Sequence, residues 1–250
     1  MSFSKIPSSG GGGAAMIFCA GLGTRFKPWT DKHPKALAVI NGKSLLQRNV
    51  EYLQLYGITD VIVNVHHFAD QIVEVIERNR GWGSNIIISD ERDEVLETGG
   101  GLLKARELFK PGERFITLNA DILTDLDINK LLAFHEEQKP LISMAVSDRK
   151  TSRNLLFDGA NRLCGWKNNA TGEERISMPM KNPAAKAYDC VVVFEYEVFD
   201  LNYFEGKFSL IDLYLELARY HTILGYGHSA ERWIDVGKPE SVALAEAMFK

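Results

Sequence analysis

The sequence predicts an α/β protein of three layers, a mixed, mostly parallel sheet with helices on both faces and a small β-rich insertion in the second half. Three observations predict it. Short β-branched runs alternate with amphipathic helical stretches from Ala14 to Asp148. Such alternation builds parallel strands joined by crossover helices. A glycine-bearing, positively charged segment follows the first strand directly, where open α/β sheets place ligands. After Asp148 the helical rhythm gives way to short strands and polar turns.

In order, "AAMIF" is the first strand. "SLLQRNVEYLQLYG" spaces Leu45, Leu46, Val50, Leu53 and Tyr56 for a helix, with Ser44 as N-cap and Gly57 as its stop. "DVIVNV" is a buried strand, and "FADQIVEVIERN" a helix with Ile72, Val73 and Ile76 on one side. "NIIIS" is a strand, "GGLLKARELF" a helix, "RFITLNAD" a strand, "INKLLAFHEEQ" a helix and "PLISMAVS" a strand. Then "NLLFDGANRLCGW" reads as two strands joined at Asp-Gly, and "NNATGEERISMPMKNPAAK" as a long loop. "AYDCVVVFEYEVF" returns to strand with a short helix behind it. "SLIDLYLELARYH" is a helix, and "RWIDVGKPESVALAEAMF" a strand end, a turn and a closing helix. The expected organisation is a flexible Ser/Gly-rich tail over 1–13 and one domain over 14–250, with the insertion at about 149–190.

Composition narrows the function. The chain has 250 residues, 45% of them hydrophobic, enough for one large core. With 29 basic and 33 acidic residues the net charge is −4, so there is no overall basic field for nucleic acid. Cys19, Cys164 and Cys190 lack metal-ligand spacing and suggest a reducing compartment. No run approaches the ~18 apolar residues of a membrane helix, and "MSFSKIPSSGGGG" lacks a signal-peptide core. The expectation is a soluble, cytoplasmic protein with no nucleic-acid or membrane partner.

The chemistry centres on "CAGLGTRFKPWTDKHPKAL", Cys19 to Leu37. Glycines let backbone amides approach phosphate oxygens, and Arg25 can fork onto phosphate. A dinucleotide fingerprint fails because Phe26 holds the third glycine position. A P-loop fails because Leu37 stands where its first glycine belongs, which leaves "NGKS" as a turn and a helix cap. Alone, Gly21 and Gly23 read equally well as a tight turn.

Four blocks together resemble the sugar-1-phosphate nucleotidyltransferases. They are "AGLGTRFKPWTDKHPKAL", "VLETGGGLLKA", "FITLNADILTDLD" and "RWIDVGKPESVALAE", in family order over nearly the whole chain. "LETGGG" with "WIDVG" is most similar to the N-acetylmuramate α-1-phosphate uridylyltransferases of bacteria. The resemblance implies a Rossmann-like, GT-A-like nucleotidyltransferase fold. It implies that a nucleoside triphosphate, UTP in that subgroup, gives its nucleotidyl group to a sugar 1-phosphate with release of pyrophosphate. Mg²⁺ is the implied cofactor, held by Asp121 and Asp235.

The resemblance also implies roles for particular residues. Arg25, Lys35 and Asp121 are the catalytic set. Ala20, Gly21, Gly23 and Thr24 cradle the triphosphate, and Thr98, Gly99 and Gly100 lie against base and ribose. Glu91, in the acidic run "DERDE", is the candidate base contact. Asp189, Cys190, Lys167 and Asn119 are the candidate sugar contacts. Asp189 and Cys190 depart from the small polar residue and glycine usual in relatives, and Ala120 replaces a glycine in "NAD". The D-x-D of Asp125 and Asp127 reads as the start of the next helix. His66 and His67 read as loop-edge residues. A guanylyl- or other nucleotidyltransferase acting on mannose, heptose or glucose 1-phosphate stays open. So does a non-catalytic nucleotide-sugar-binding regulator. A D-x-D glycosyltransferase is disfavoured by the complete first block. The expected state is a monomer or homodimer.

Overall fold

In a computed structural model the described residues are 13–201, 204–228 and 232–250; nearly all of the expected tail falls outside them. The strands and helices are β1 (Ala15–Phe18), β2 (Val39–Ile40), β3 (Lys43–Ser44), α1 (Leu45–Gln54), β4 (Asp60–Val65), α2 (Ala69–Arg78) and β5 (Asn85–Asp90). They continue with α3 (Glu97–Lys104), β6 (Phe115–Asn119), β7 (Ile122–Thr124), α4 (Ile128–Gln138), β8 (Ile142–Ser147), β9 (Arg153–Phe157), β10 (Leu163–Asn168) and β11 (Glu174–Ile176). The last are β12 (Ala184–Phe194), α5 (Leu210–Leu217), β13 (Ile223–Gly227), β14 (Trp233–Asp235) and α6 (Ser241–Met248).

Strand alternation makes the three layers. On β1, Ala15 and Ile17 pack with Leu46, Val50, Ile72 and Leu131, from α1, α2 and α4. Met16 and Phe18 pack on the other face with Leu102, Leu213 and Tyr214, from α3 and α5. A strand buried on both faces needs no polar alternation, which is why "AAMIF" and "DVIVNV" read as continuous apolar runs. Ser44 caps α1 by accepting from the Gln47 amide, Asp127 caps α4 by accepting from the Lys130 amide, and Ser209 with Asp212 forms a capping box on α5.

The sheet core runs β5-β4-β1-β6, all parallel. β12 lies antiparallel between β6 and β8, and β13 pairs parallel with β8. From β1 the chain crosses to β4 on one side; β6 flanks β1 on the other. The crevice at their carboxyl ends is the switch point where such sheets hold ligands. β12 is eleven residues long and serves two structures. Its second half belongs to the core sheet, and its first half pairs with β9 of the insertion. A register shift between Tyr188 and Val192 marks the join.

One expectation needs correction here. The stretch expected as a long loop contains β11, antiparallel to β10, and its end already belongs to β12. Three exposed residues, two charged and one apolar, are too short a run to show periodicity, and pairing with β10 supplies the order instead.

Candidate active site

The segment after β1 is held from below. Asn64, buried in β4 beside Phe18, accepts from the Cys19 amide at 2.7 Å and more loosely from the Ala20 amide at 3.4 Å. Its own Nδ2 donates to Glu91 Oε1 at 2.8 Å. Gly23 then takes a left-handed conformation, φ 59°. A Cβ there would meet the Thr30 methyl at 2.9 Å and Lys35 Cβ at 3.2 Å, so glycine is required on both counts. Thr30 Oγ1 donates to the Gly23 carbonyl at 2.9 Å. Phe26, the residue that spoils a dinucleotide fingerprint, is buried with Ile40, Leu45, Leu123, Ile234 and Val236. That burial, worth about 1.5–3 kcal/mol, ties the loop to β7 and β14. Among the described residues the amides of Gly21, Leu22 and Gly23 make no hydrogen bond.

Packing on Phe26 brings charge together. β14 runs antiparallel to β7, with Asp235 opposite Ile122 and the Val236 amide donating to the Asp121 carbonyl at 2.8 Å. Lys35 Nζ bonds Asp121, each side chain 16% exposed. Arg25 lies 4.0 Å from Asp235 and is largely exposed. Burial, and then the Asp121 carboxylate, push the Asp235 carboxyl above the usual aspartate range. Its Oδ1 is buried without a hydrogen-bond partner. Among the described residues no group of three or more His, Cys, Asp or Glu is arranged to hold a metal. A pair of carboxylates with one unpartnered oxygen is what a small hard cation uses, because it completes its shell with phosphate oxygens and water.

Two cavities flank this centre. One, about 440 Å³, is lined by Ala20, Gly21, Gly23 and Thr24 together with Asn64, Glu97, Thr98 and Lys207. The other, about 740 Å³, opens toward the insertion. Arg25, Cys190 and Asp235 line it near the centre; Arg149, Trp166 and Arg175 line it further out. Thr24 lines the first cavity and Arg25 the second, so the loop divides them.

Several sequence expectations are corrected by these placements. Gly99 and Gly100 reach neither cavity. Their amides donate to the Phe208 carbonyl, and a Cβ on Gly100 would sit 2.2 Å from the Gly206 carbonyl. They are glycines so that residues 206–208 can press on α3. Thr98 does line the first cavity, while its hydroxyl accepts from the Leu210 amide. Glu91 is wholly buried and supports Asn64 rather than facing a base; burial raises its carboxyl above the usual glutamate range. His66 Nδ1 lies 2.7 Å from the Glu91 carbonyl, a loop-edge contact as expected. Lys167 pairs with Glu174 at 2.7 Å and does not line the second cavity, because strand alternation turns its neighbour Trp166 inward instead. Asp189 is 1% exposed and turned away from the cavity, against Arg149 and His228. Cys190 does face the cavity, at φ 63°, a conformation glycine adopts without strain. Asn119 ends β6, half-buried, two residues before Asp121, and lines neither cavity.

Asn64 and Arg149 went unread in the sequence. Asn64 had a visible signal, a lone amide inside the β-branched run "VIVNV". Arg149 sits in the polar stretch "SDRKTSR" with nothing to distinguish it from its neighbours.

An open α/β sheet with an amide-lined loop, a lysine, an arginine and paired carboxylates at its switch point defines a phosphate-handling transferase. The chain belongs to the nucleotidyl transferase family, whose model matches residues 14–155. It is similar, at 31% identity over 93% of this chain and 95% of the relative, to an N-acetylmuramate α-1-phosphate uridylyltransferase of Caulobacter vibrioides. It is also similar to the catalytic subunit beta of a mannose-1-phosphate guanylyltransferase of Dictyostelium discoideum, at 35% identity over 49% of this chain and 34% of the relative. The crystal structure of HddC from Yersinia pseudotuberculosis shares the fold, with TM-score 0.76 and 22% identity, covering 95% of this chain and all of that one. The chain is a sugar-1-phosphate nucleotidyltransferase. It transfers a nucleotidyl group from a nucleoside triphosphate to a sugar 1-phosphate. No described helix is long and apolar enough to cross a membrane.

Proposed function

We propose that the chain transfers a uridylyl group from UTP to N-acetylmuramate 1-phosphate with Mg²⁺, releasing pyrophosphate and supplying a cell-wall sugar nucleotide. The reaction rests on one geometric observation: Lys35, Arg25, Asp121 and Asp235 converge between two cavities, one amide-lined and one arginine-lined. The choice of UTP and muramate rests on the Caulobacter relative, which aligns along almost its full length.

The attacking group is a phosphate oxygen and already an anion, so no side chain need act as nucleophile. Catalysis reduces to alignment and charge neutralisation. The unpartnered amides of Gly21 to Gly23, with Thr24, bind the triphosphate from the smaller cavity. Lys35 neutralises charge at the α-phosphorus as the new bond forms. Arg25, exposed and loosely held beside Thr24 at the divide between the cavities, can swing to the departing pyrophosphate. Asp121 and Asp235 would hold Mg²⁺, which supplies positive charge to the phosphates and relieves the repulsion between the two carboxylates.

Pyrophosphate release is to be measured for UTP, GTP, CTP and dTTP against N-acetylmuramate, mannose, glucose and N-acetylglucosamine 1-phosphates, with and without Mg²⁺. UTP with N-acetylmuramate 1-phosphate should give the largest kcat/KM, and EDTA should abolish it. A preference for GTP with mannose 1-phosphate would support the second reading, which the Dictyostelium relative favours. Sugar-nucleotide binding without any pyrophosphate release would instead indicate a regulator.

A further inference from the structure

The second cavity contains an arginine that no motif foretold. Arg149 follows β8 and donates through Nε to Asp189 Oδ1 at 2.6 Å and through Nη2 to the Tyr188 carbonyl at 2.6 Å. Its guanidinium lies over the Trp233 ring, 3.6 Å from the centroid. The Trp233 indole in turn donates to the Asp189 carbonyl at 3.1 Å. The plane of Arg149 is therefore set by two hydrogen bonds and a stack. Its remaining terminal nitrogen, Nη1, has no hydrogen-bond partner among the described residues, and the side chain, 28% exposed, lines the cavity.

Asp189 explains why the arrangement is more than a strut. A carboxylate at 1% exposure costs several kcal/mol in desolvation unless it is paired. Arg149 and His228 both bond it, His228 Nε2 at 2.9 Å from Oδ2. The counter-charge stands behind the arginine, away from the cavity, so Arg149 can offer Nη1 to a ligand without breaking its pair. Alternation along β12 sets this aim: Tyr188 and Cys190 line the cavity, while Asp189 between them turns to Arg149. Arg25, Arg153 and Arg175 line the same space, against Asp212 and Asp235, and Arg175 is paired with Asp212 at 2.7 Å. The excess charge facing the cavity is positive.

We propose that Arg149 binds an anionic group of the acceptor sugar phosphate through Nη1, and that Asp189 is the positioning residue that holds it in place. This rests on the second cavity being the acceptor site of the reaction proposed above. The group is either the anomeric phosphate or a carboxylate elsewhere on the sugar; both present an anionic oxygen that accepts a charge-assisted hydrogen bond from Nη1. The bulk and charge of Asp189 then belong to acceptor recognition at one remove.

Binding separates this from the reaction itself. Isothermal titration of wild type, Arg149→Ala, Arg149→Lys and Asp189→Asn with UTP and with the four sugar 1-phosphates reads each arm without turnover. Arg149→Ala should weaken the acceptor by about 10–100-fold, the loss of one hydrogen bond to a charged group, and leave UTP binding within twofold. An equal loss for N-acetylmuramate and N-acetylglucosamine 1-phosphates assigns Nη1 to the phosphate; a loss confined to the muramate assigns it to the carboxylate. Arg149→Lys, which keeps charge but not the fixed plane, should fall between. Asp189→Asn should show a smaller, acceptor-only loss. If Asp189→Asn does not fold, Arg149→Lys still tests the plane. UTP weakened as much as the acceptor, no acceptor weakened by Arg149→Ala, or a wild type that binds none of the four would overturn the proposal. Acceptor binding that depends on Arg149 without any turnover would sink the proposed reaction and leave this site standing.

Discussion

The two cavities are built from different materials. The smaller cavity, proposed for the triphosphate, uses backbone: unpartnered amides, a left-handed glycine and an asparagine that pins the loop to β4. The larger cavity, proposed for the acceptor, uses long side chains borrowed from β8's exit, β12, β14 and the insertion. A phosphate chain is much alike in every nucleotide, so a compact loop of main-chain donors suits it. Sugars differ from one another, and side chains from separate strands can change without disturbing the sheet. The charged centre meets the larger cavity through Arg25 and Asp235, and Thr24, next to Arg25, lines the smaller one.

The strongest test of that division is to remove the shared charge. Lys35→Ala should depress kcat by about 10²–10³-fold, the scale seen when one charge-stabilising donor is lost, with both substrates still bound. The thermal midpoint should fall modestly, since Asp121 loses the cation that partners it at 16% exposure, with the chain still folded at the assay temperature. Loss of substrate binding or of the fold in step with activity would mean that Lys35 organises the loop rather than the reaction. The next test falls on the triphosphate side alone. Gly100→Ala forces a Cβ to 2.2 Å from the Gly206 carbonyl, so backbone must shift. Overpacking of this kind costs about 1–3 kcal/mol, outweighing the gain of up to ~1 kcal/mol in helix propensity. Urea unfolding should show the loss, and KM for UTP should rise more than KM for the acceptor. Wild-type stability would mean the contact with 206–208 is not needed.

The same division decided what the sequence revealed. Strands β1, β4, β5 and β6, the Ser44 cap and the Asn-Gly turn were legible because each follows from local pattern. The glycine loop was legible as a tight backbone element because its residues are consecutive. Arg149, Asp189, His228 and Trp233 span some 85 positions and meet only when β12 shifts register and β14 joins β7. Asp189 was expected to face the sugar because it stands where the resembled family carries a small polar residue. Strand alternation places Tyr188 and Cys190 on the cavity and Asp189 on the opposite face. Gly99 and Gly100 misled in the opposite sense: a glycine pair near a nucleotide motif reads as ligand contact, and here it serves helix packing.

Glu91 gives a smaller and subtler test, below the triphosphate loop. Its folded pKa is raised above the unfolded glutamate value of about 4.3. Between the two values the native state binds more protons, so stability falls as pH rises through that window. Above the folded pKa the buried charge remains a cost. Glu91→Gln keeps an oxygen for Asn64 and removes the ionisation. Urea midpoints from pH 4 to 8 should show a flatter profile than wild type as pH rises from about 4.3, with UTP binding changed by no more than a few-fold. An unaltered profile would place the titration on another group.

The smallest expected effect is the sharpest check on the acceptor side. β10 carries Trp166 and Lys167 in succession, and alternation can aim only one of them at the cavity. Trp166 lines it, while Lys167 pairs with Glu174 across the β10–β11 ladder, on side chains more than a third exposed. An exposed cross-strand ion pair contributes about 0–1 kcal/mol. Lys167→Ala should therefore leave kcat and both KM values within about twofold and lower stability by no more than that amount. Trp166→Ala, one residue away, should raise KM for the acceptor while UTP is unaffected. If the lysine variant instead lost acceptor affinity, the insertion would have to twist on binding and bring Lys167 over the sugar phosphate. The acceptor side would then be assembled by the ligand, whereas the triphosphate loop stands ready-made.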